Sequence, residues 1–155
     1  GIDMTNILYI AFKGKNNSSC QLVSQMHADA FYLTNSFPGV KRDIDTLPMT
    51  YERILMFGLD KNLHDAVRFE RTAQKDGKLL YSSMDIEPYL TLANEMGISY
   101  TVSEAPGTYL CNEAYWYVLQ KAECPVLFLH IPSTPHMSDS FWKKLRKLLE
   151  SASAL

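Results

Sequence analysis

The chain has 155 residues, 46% apolar and 21% charged, with a formal net charge of -2. That balance suits one globular domain with a buried core, and the near-neutral charge excludes a general polyanion-binding surface. No apolar run reaches the roughly 18 residues that span a bilayer, so no membrane partner is expected. Gly1-Ile2-Asp3-Met4 lacks the basic and apolar regions of an export signal. Gly1 to Asp3 read as cloning residues ahead of a native Met4, leaving a single domain over 4–155. Cys20, Cys111 and Cys124, with no Cys-x-x-Cys pair, read as reduced thiols of a cytoplasmic protein and argue against a zinc site.

In chain order, residues 6–12 form an apolar run that fits a strand buried on both faces. A loop over 13–19 contains Gly14, and Ser18 or Ser19 is placed to cap a helix reaching about Met26. Residues 28–34 read as a second strand. Residues 35–51, with Pro38-Gly39 and Pro48, read as turn-rich and largely irregular. Strands are expected over 53–59 and 66–73, with a turn at Asp76-Gly77. Residues 85–96 read as a helix, capped by Asp85 and ended by Gly97, with Ile86, Tyr89, Leu90, Ala93 and Met96 on one face. A strand over 98–103, a turn, a helix over 109–121 and a strand over 125–131 follow. Ser138 or Asp139 caps a last helix reaching about Ser151, with Phe141, Leu145, Leu148 and Leu149 inward. Strands alternating with helices predict an α/β three-layer sandwich: a largely parallel central sheet with helices on both faces.

Three side chains carry chemistry. Cys111 follows the Pro106-Gly107 turn at a helix start, where free amides and the helix dipole favour a thiolate. His130 ends an apolar strand before Ile131-Pro132. Glu70 lies in Val67-Arg68-Phe69-Glu70-Arg71, on the face opposite Phe69. A thiol, an imidazole to take its proton and a carboxylate to hold the ring form a cysteine-peptidase set. Taken singly, Cys111 is a small core hydrophobe, His130 a strand-end histidine, and Glu70 half of an ion pair with Arg53, Arg68 or Arg71.

The stretch 103–112, Ser-Glu-Ala-Pro-Gly-Thr-Tyr-Leu-Cys-Asn, resembles the cysteine signature of the pyroglutamyl-peptidase I (pyrrolidone-carboxylate peptidase) family. Phe128-Leu129-His130-Ile131-Pro132 resembles that family's catalytic histidine segment, and Val67-Arg68-Phe69-Glu70-Arg71 its acid-bearing strand. The opening 7–12 with Asn17-Ser18-Ser19 resembles its first strand and the loop beyond. The resemblance implies a phosphorylase/hydrolase-like fold and hydrolysis of an N-terminal pyroglutamyl residue from a peptide or small amide. Cys111 is then the nucleophile, His130 the base, Glu70 the orienting acid and the Cys111 amide an oxyanion donor, with no metal or organic cofactor. It also implies substrate contacts from Phe12 and Asn17, and self-association, since members commonly form oligomers.

The sequence departs from that pattern around the substrate. Lys13-Gly14-Lys15-Asn16 stands where a second phenylalanine and a glycine pair usually follow, and a missing ring wall costs ~1–3 kcal/mol of discrimination. Residues 58–63 lack the usual Gln, Gly-Gly and Arg. The chain also reads as shortened before Arg53 and after Gln74.

Elsewhere Cys124 reads as structural and Cys20 as a core or partly exposed thiol. His27, His64 and His136 show no metal-ligand spacing. Tyr109, Tyr115, Trp116 and Tyr117 read as helix packing, with Tyr115 and Trp116 candidates for a subunit contact. Lys143, Lys144, Arg146 and Lys147 read as a solvated helix face; no nucleic-acid partner is expected.

Overall fold

Alternating helix and strand signals resolve, in a computed structural model that describes residues 6–155, into a six-stranded sheet, five helices and a two-stranded hairpin. The reading of Gly1–Asp3 and Met4 lies outside the described residues. In chain order the elements are β1 (Ile7–Phe12), α1 (Ser18–Ser24), β2 (Asp29–Leu33), α2 (Phe37–Asp45), β3 (Arg53–Leu59), β4 (Ala66–Glu70), β5 (Thr72–Lys75) and β6 (Lys78–Tyr81). Then come α3 (Glu87–Met96), β7 (Ser99–Ser103), α4 (Leu110–Lys121), β8 (Val126–Ile131), a 3-10 turn (Thr134–His136) and α5 (Asp139–Ser153).

Strand order across the sheet is β2-β1-β3-β8-β4-β7. All neighbours run parallel except β4 and β8, which are antiparallel. Alternation within each strand feeds two cores. Ile7, Tyr9, Phe57 and Leu129 pack on one face against α1, α3 and α5. Leu8, Ile10, Met56 and Phe128 pack on the other against α2 and α4. The expected three-layer sandwich with a largely parallel sheet is the observed architecture.

Four local expectations are revised. Residues 35–51 hold α2: Ser36 Oγ accepts from the Gly39 amide at 3.0 Å, Pro38 occupies the first turn, and Val40 and Ile44 bury one helical face. The Pro38-Gly39 pair therefore lies inside a helix start, where proline is tolerated because its missing N–H had no helical partner. The strand expected over 66–73 divides at Arg71; its second part pairs as β5 with β6 across Asp76-Gly77. Both turn residues have positive φ, 51° and 76°, as a two-residue hairpin turn requires. Tyr115 and Trp116 are buried in the core, so they offer no subunit contact. The α3 start also shifts by one residue, with Ile86 at the cap position and Asp85 Oδ1 accepting from the Glu87 amide at 3.1 Å.

Ser36→Ala removes the side-chain cap of α2 and is expected to lower unfolding free energy by about 1 kcal/mol. Urea denaturation checks this as a lower midpoint at unchanged slope.

Candidate active site

The register of the sheet brings the chemistry together. Gly58 pairs with His130 across β3 and β8. From the other side of β8, Arg68 pairs with His130 and Glu70 with Phe128. Paired residues on adjacent strands point to one face, so Gly58, Arg68, Glu70, Phe128 and His130 share the face that α4 covers. Because β4 runs against β8, Glu70 reaches His130 through this register and not from a shared row of carboxyl-terminal strand ends.

His130 Nδ1 and Glu70 Oε2 are 2.7 Å apart. The carboxylate accepts, so Nδ1 carries the proton and Nε2 is left as the ring's acceptor. Arg68 Nε donates to the same Oε2 at 2.6 Å, and its Nη2 donates to Asp60 Oδ2 at 2.9 Å. Asp60 Oδ1 in turn accepts from the Asn62 amide at 2.9 Å. Glu70 is only 8% exposed. Burial alone would raise its pKa, but the hydrogen bonds and charges of His130 and Arg68 hold it below the ordinary glutamate value. Asp60 is likewise held low: the Asn62 amide and Arg68 overcome its burial. Both acids are therefore anionic at neutral pH.

Cys111 is the second residue of α4 and rests against bare backbone. A Cβ built on Gly58 would stand 2.6 Å from Cys111 Sγ and 2.8 Å from Phe128 Cζ. Side chains of α4 fix its seat. Asn112 grips β5 twice, Oδ1 accepting from the Gln74 amide at 2.9 Å and Nδ2 donating to the Gln74 carbonyl at 2.8 Å. Tyr115 donates its hydroxyl to the Glu70 carbonyl at 2.8 Å, and Trp116 Nε1 donates to the Lys78 carbonyl at 3.1 Å. Tyr109, at the N-cap position, supplies no side-chain cap and is 82% exposed.

Burial pushes the Cys111 thiol up to about 12, helped by the nearby Glu70 and Asp60 carboxylates and opposed by the Arg68 guanidinium. The helix start was expected to favour a thiolate. Burial and the two carboxylates work against that effect here.

Cys111, His130, Glu70, Arg68 and Asp60 all line one cleft of about 700 Å³. Two expected substrate contacts lie outside its lining. Phe12 is 3% exposed and packs with the sheet core. Asn17 caps α1, its Oδ1 accepting from the Ser19 amide at 2.9 Å and the Ser19 hydroxyl at 2.6 Å. Composition did not single out Asp60, whose role comes from its reach to Arg68. Thr72 also lines the cleft and had no sequence signal. Among the described residues, no group of three or more His, Cys, Asp or Glu side chains is arranged to hold a metal ion. None of the described helices is long and apolar enough to cross a membrane.

No protein-family profile matches the chain, and no curated protein does. Solved structures do. Pyrrolidone carboxyl peptidase from Thermus thermophilus aligns with a TM-score of 0.78 over 96% of this chain and 100% of that one, at 20% identity. Pyroglutamyl peptidase I from Bacillus amyloliquefaciens aligns at 0.76 over 96% and 97%, with 16% identity. The pyrrolidone carboxyl peptidase of Thermococcus litoralis aligns at 0.67 over 93% and 91%, with 17% identity. The chain thus has the fold of these peptidases over nearly its whole length, and the resemblance read from its cysteine and histidine segments points to the same proteins.

Gly58→Ala forces a methyl against Cys111 and Phe128, and is expected to lower stability by about 1–3 kcal/mol through overpacking, read as a lower urea midpoint. The thiol's raised pKa makes a second prediction. The thiolate fraction grows about tenfold per pH unit below the pKa. Iodoacetamide labelling of Cys111 without substrate should therefore keep accelerating from pH 7 to 10; a plateau near neutrality would show a preformed thiolate instead.

Proposed function

We propose that this chain is a cysteine exopeptidase that removes an N-terminal pyroglutamyl residue from peptides or small amides. One observation carries the reading: the His130–Glu70 hydrogen bond of 2.7 Å lies in the same cleft as Cys111, on the fold of the pyrrolidone carboxyl peptidases. The three residues have the roles that thiol acyl transfer requires.

His130 Nε2 takes the Cys111 proton as the sulfur attacks the acyl carbonyl. Burial and the neighbouring carboxylates disfavour a standing thiolate, so proton transfer accompanies attack in this reading. The Cys111 amide, among the first unpaired amides of α4, donates to the oxyanion. His130 then returns the proton to the departing amine, which leaves as the C–N bond breaks. Water, deprotonated by the same nitrogen, hydrolyses the thioester and restores the thiol. Glu70 holds the Nδ1–H tautomer and stabilises the imidazolium formed at each transfer. No metal or organic cofactor enters this sequence. Three free thiols fit a cytoplasmic setting, and neither nucleic acid nor membrane is a partner in this reading. Self-association is part of the proposal and calls for no residue of the cleft.

A second reading, hydrolysis of a different acyl amide by the same residues, is favoured by the position of Phe12 away from the cleft lining.

Release of a coumarin reporter from pyroglutamyl, alanyl and prolyl amides separates the two. The expected outcome is turnover of the pyroglutamyl amide alone, abolished in Cys111→Ala and reduced about 10²-fold or more in His130→Ala, with both variants folded. Equal turnover of all three amides would remove the pyroglutamyl specificity; undiminished activity in Cys111→Ala would remove the mechanism.

A further inference from the structure

We propose that Thr72 is a specificity residue of this cleft, its hydroxyl hydrogen-bonding the polar edge of the acyl group presented to Cys111. Thr72 opens β5 just beyond Glu70, where the chain leaves the main sheet. It lines the cleft and is 3% exposed. Its Oγ1 is buried and has no hydrogen-bond partner among the described residues.

Three polar side chains of the same lining are committed. Arg68 spends its fork on Glu70 and Asp60, Asn112 spends its amide on Gln74, and Tyr115 donates to the Glu70 carbonyl. The Thr72 hydroxyl is buried beside them without a partner. An unpartnered buried hydroxyl destabilises the fold, and folded proteins pair nearly all such groups. Tyr89, His136 and Arg146 also hold an unpartnered buried atom, but none of them lines the cleft. Among the described residues, Thr72 alone combines such an atom with a place in the cleft lining.

A hydroxyl both donates and accepts. It therefore complements a ring amide through either its N–H or its carbonyl, and offers nothing to a hydrocarbon ring of equal shape. A site that hydrogen-bonds its substrate rejects the analogue lacking the group far more strongly than an apolar slot rejects a change of shape. Thr72 would supply discrimination that Phe12, packed in the core, does not.

The identity of the ring rests on the peptidase reading, but the test needs no turnover. In a Cys111→Ala background, calorimetry measures binding of L-pyroglutamamide and of cyclopentanecarboxamide, which keeps the ring size and loses the ring amide. Thr72→Val keeps the shape and deletes the hydroxyl; Thr72→Ser keeps the hydroxyl. The expected result is about tenfold or greater weakening of L-pyroglutamamide by Thr72→Val, unchanged cyclopentanecarboxamide binding, and recovery in Thr72→Ser. Thr72→Val should also unfold at an equal or higher temperature, since it removes an unpaired polar atom. Equal weakening of both amides, no weakening of either, or binding of neither by the Thr72 protein would overturn the proposal. Failure of the Cys111 protein to hydrolyse any acyl amide would remove the peptidase reading and leave the binding comparison to decide Thr72.

Discussion

A single carboxylate oxygen organises the cleft. Glu70 Oε2 accepts from both the His130 ring and the Arg68 guanidinium, and Arg68 carries the chain of contacts on to Asp60. A carboxylate this enclosed is costly unless its charge is met by donors. Here two donors meet it, one a fixed planar fork. The arrangement depends on the antiparallel pairing of β4 with β8. A slip of one residue would turn Arg68 and Glu70 to the opposite face, into the core occupied by Phe69. The hydrophobic faces of β4 therefore enforce the polar geometry: Val67 and Phe69 must stay buried on their side, so Arg68 and Glu70 stay on the other.

The second constraint is the seat of α4. Cys111 is brought down onto Gly58, and the helix is held there by side chains reaching the hairpin and β4 rather than by a capping side chain of its own. The electrostatics follow from this placement. The sulfur meets two carboxylates and one guanidinium in a confined space, so its ionised form is disfavoured. In the proposed mechanism a base takes the proton during attack, so the orientation of His130 by Glu70 carries weight there.

Much of this was legible in the sequence. The apolar runs of β1, β3 and β8 and the turn signals around them gave the layers, because strands buried on both faces read as continuous hydrophobic stretches. Cys111, His130 and Glu70 stood out through segments that resemble those of the pyroglutamyl-peptidase I family; taken singly, each reads as an ordinary structural residue. The α2 helix was hidden by Pro38-Gly39, although Ser36 before the proline and the Val40-Ile44 spacing were its signature. The β6 strand was hidden because its four residues are mostly exposed and carry no strong alternation. Asp60 and Thr72 escaped for a different reason. A local pattern marks neither; each acquires its meaning from a partner, or the lack of one, that only the fold supplies. Phe12 and Asn17 were assigned by analogy of segment, and both serve the scaffold: one fills the core and the other caps α1.

Three of the molecule's departures from ordinary folding rules meet at the cleft. Away from the cleft, α5 buries Phe141, Leu145, Leu148 and Leu149 and turns Lys143, Lys144 and Lys147 to solvent, as an amphipathic helix should. At the cleft, Glu70 is a nearly enclosed charge, Tyr109 is a large exposed ring at a helix start, and Thr72 holds an unpaired hydroxyl. Each costs stability that a sequence selected only to fold would recover by a conservative exchange. Proteins tolerate such local conflicts mainly where a site needs them. Their convergence on the cavity shared by Cys111 and His130 is a physical argument for function there that is independent of any likeness to another protein.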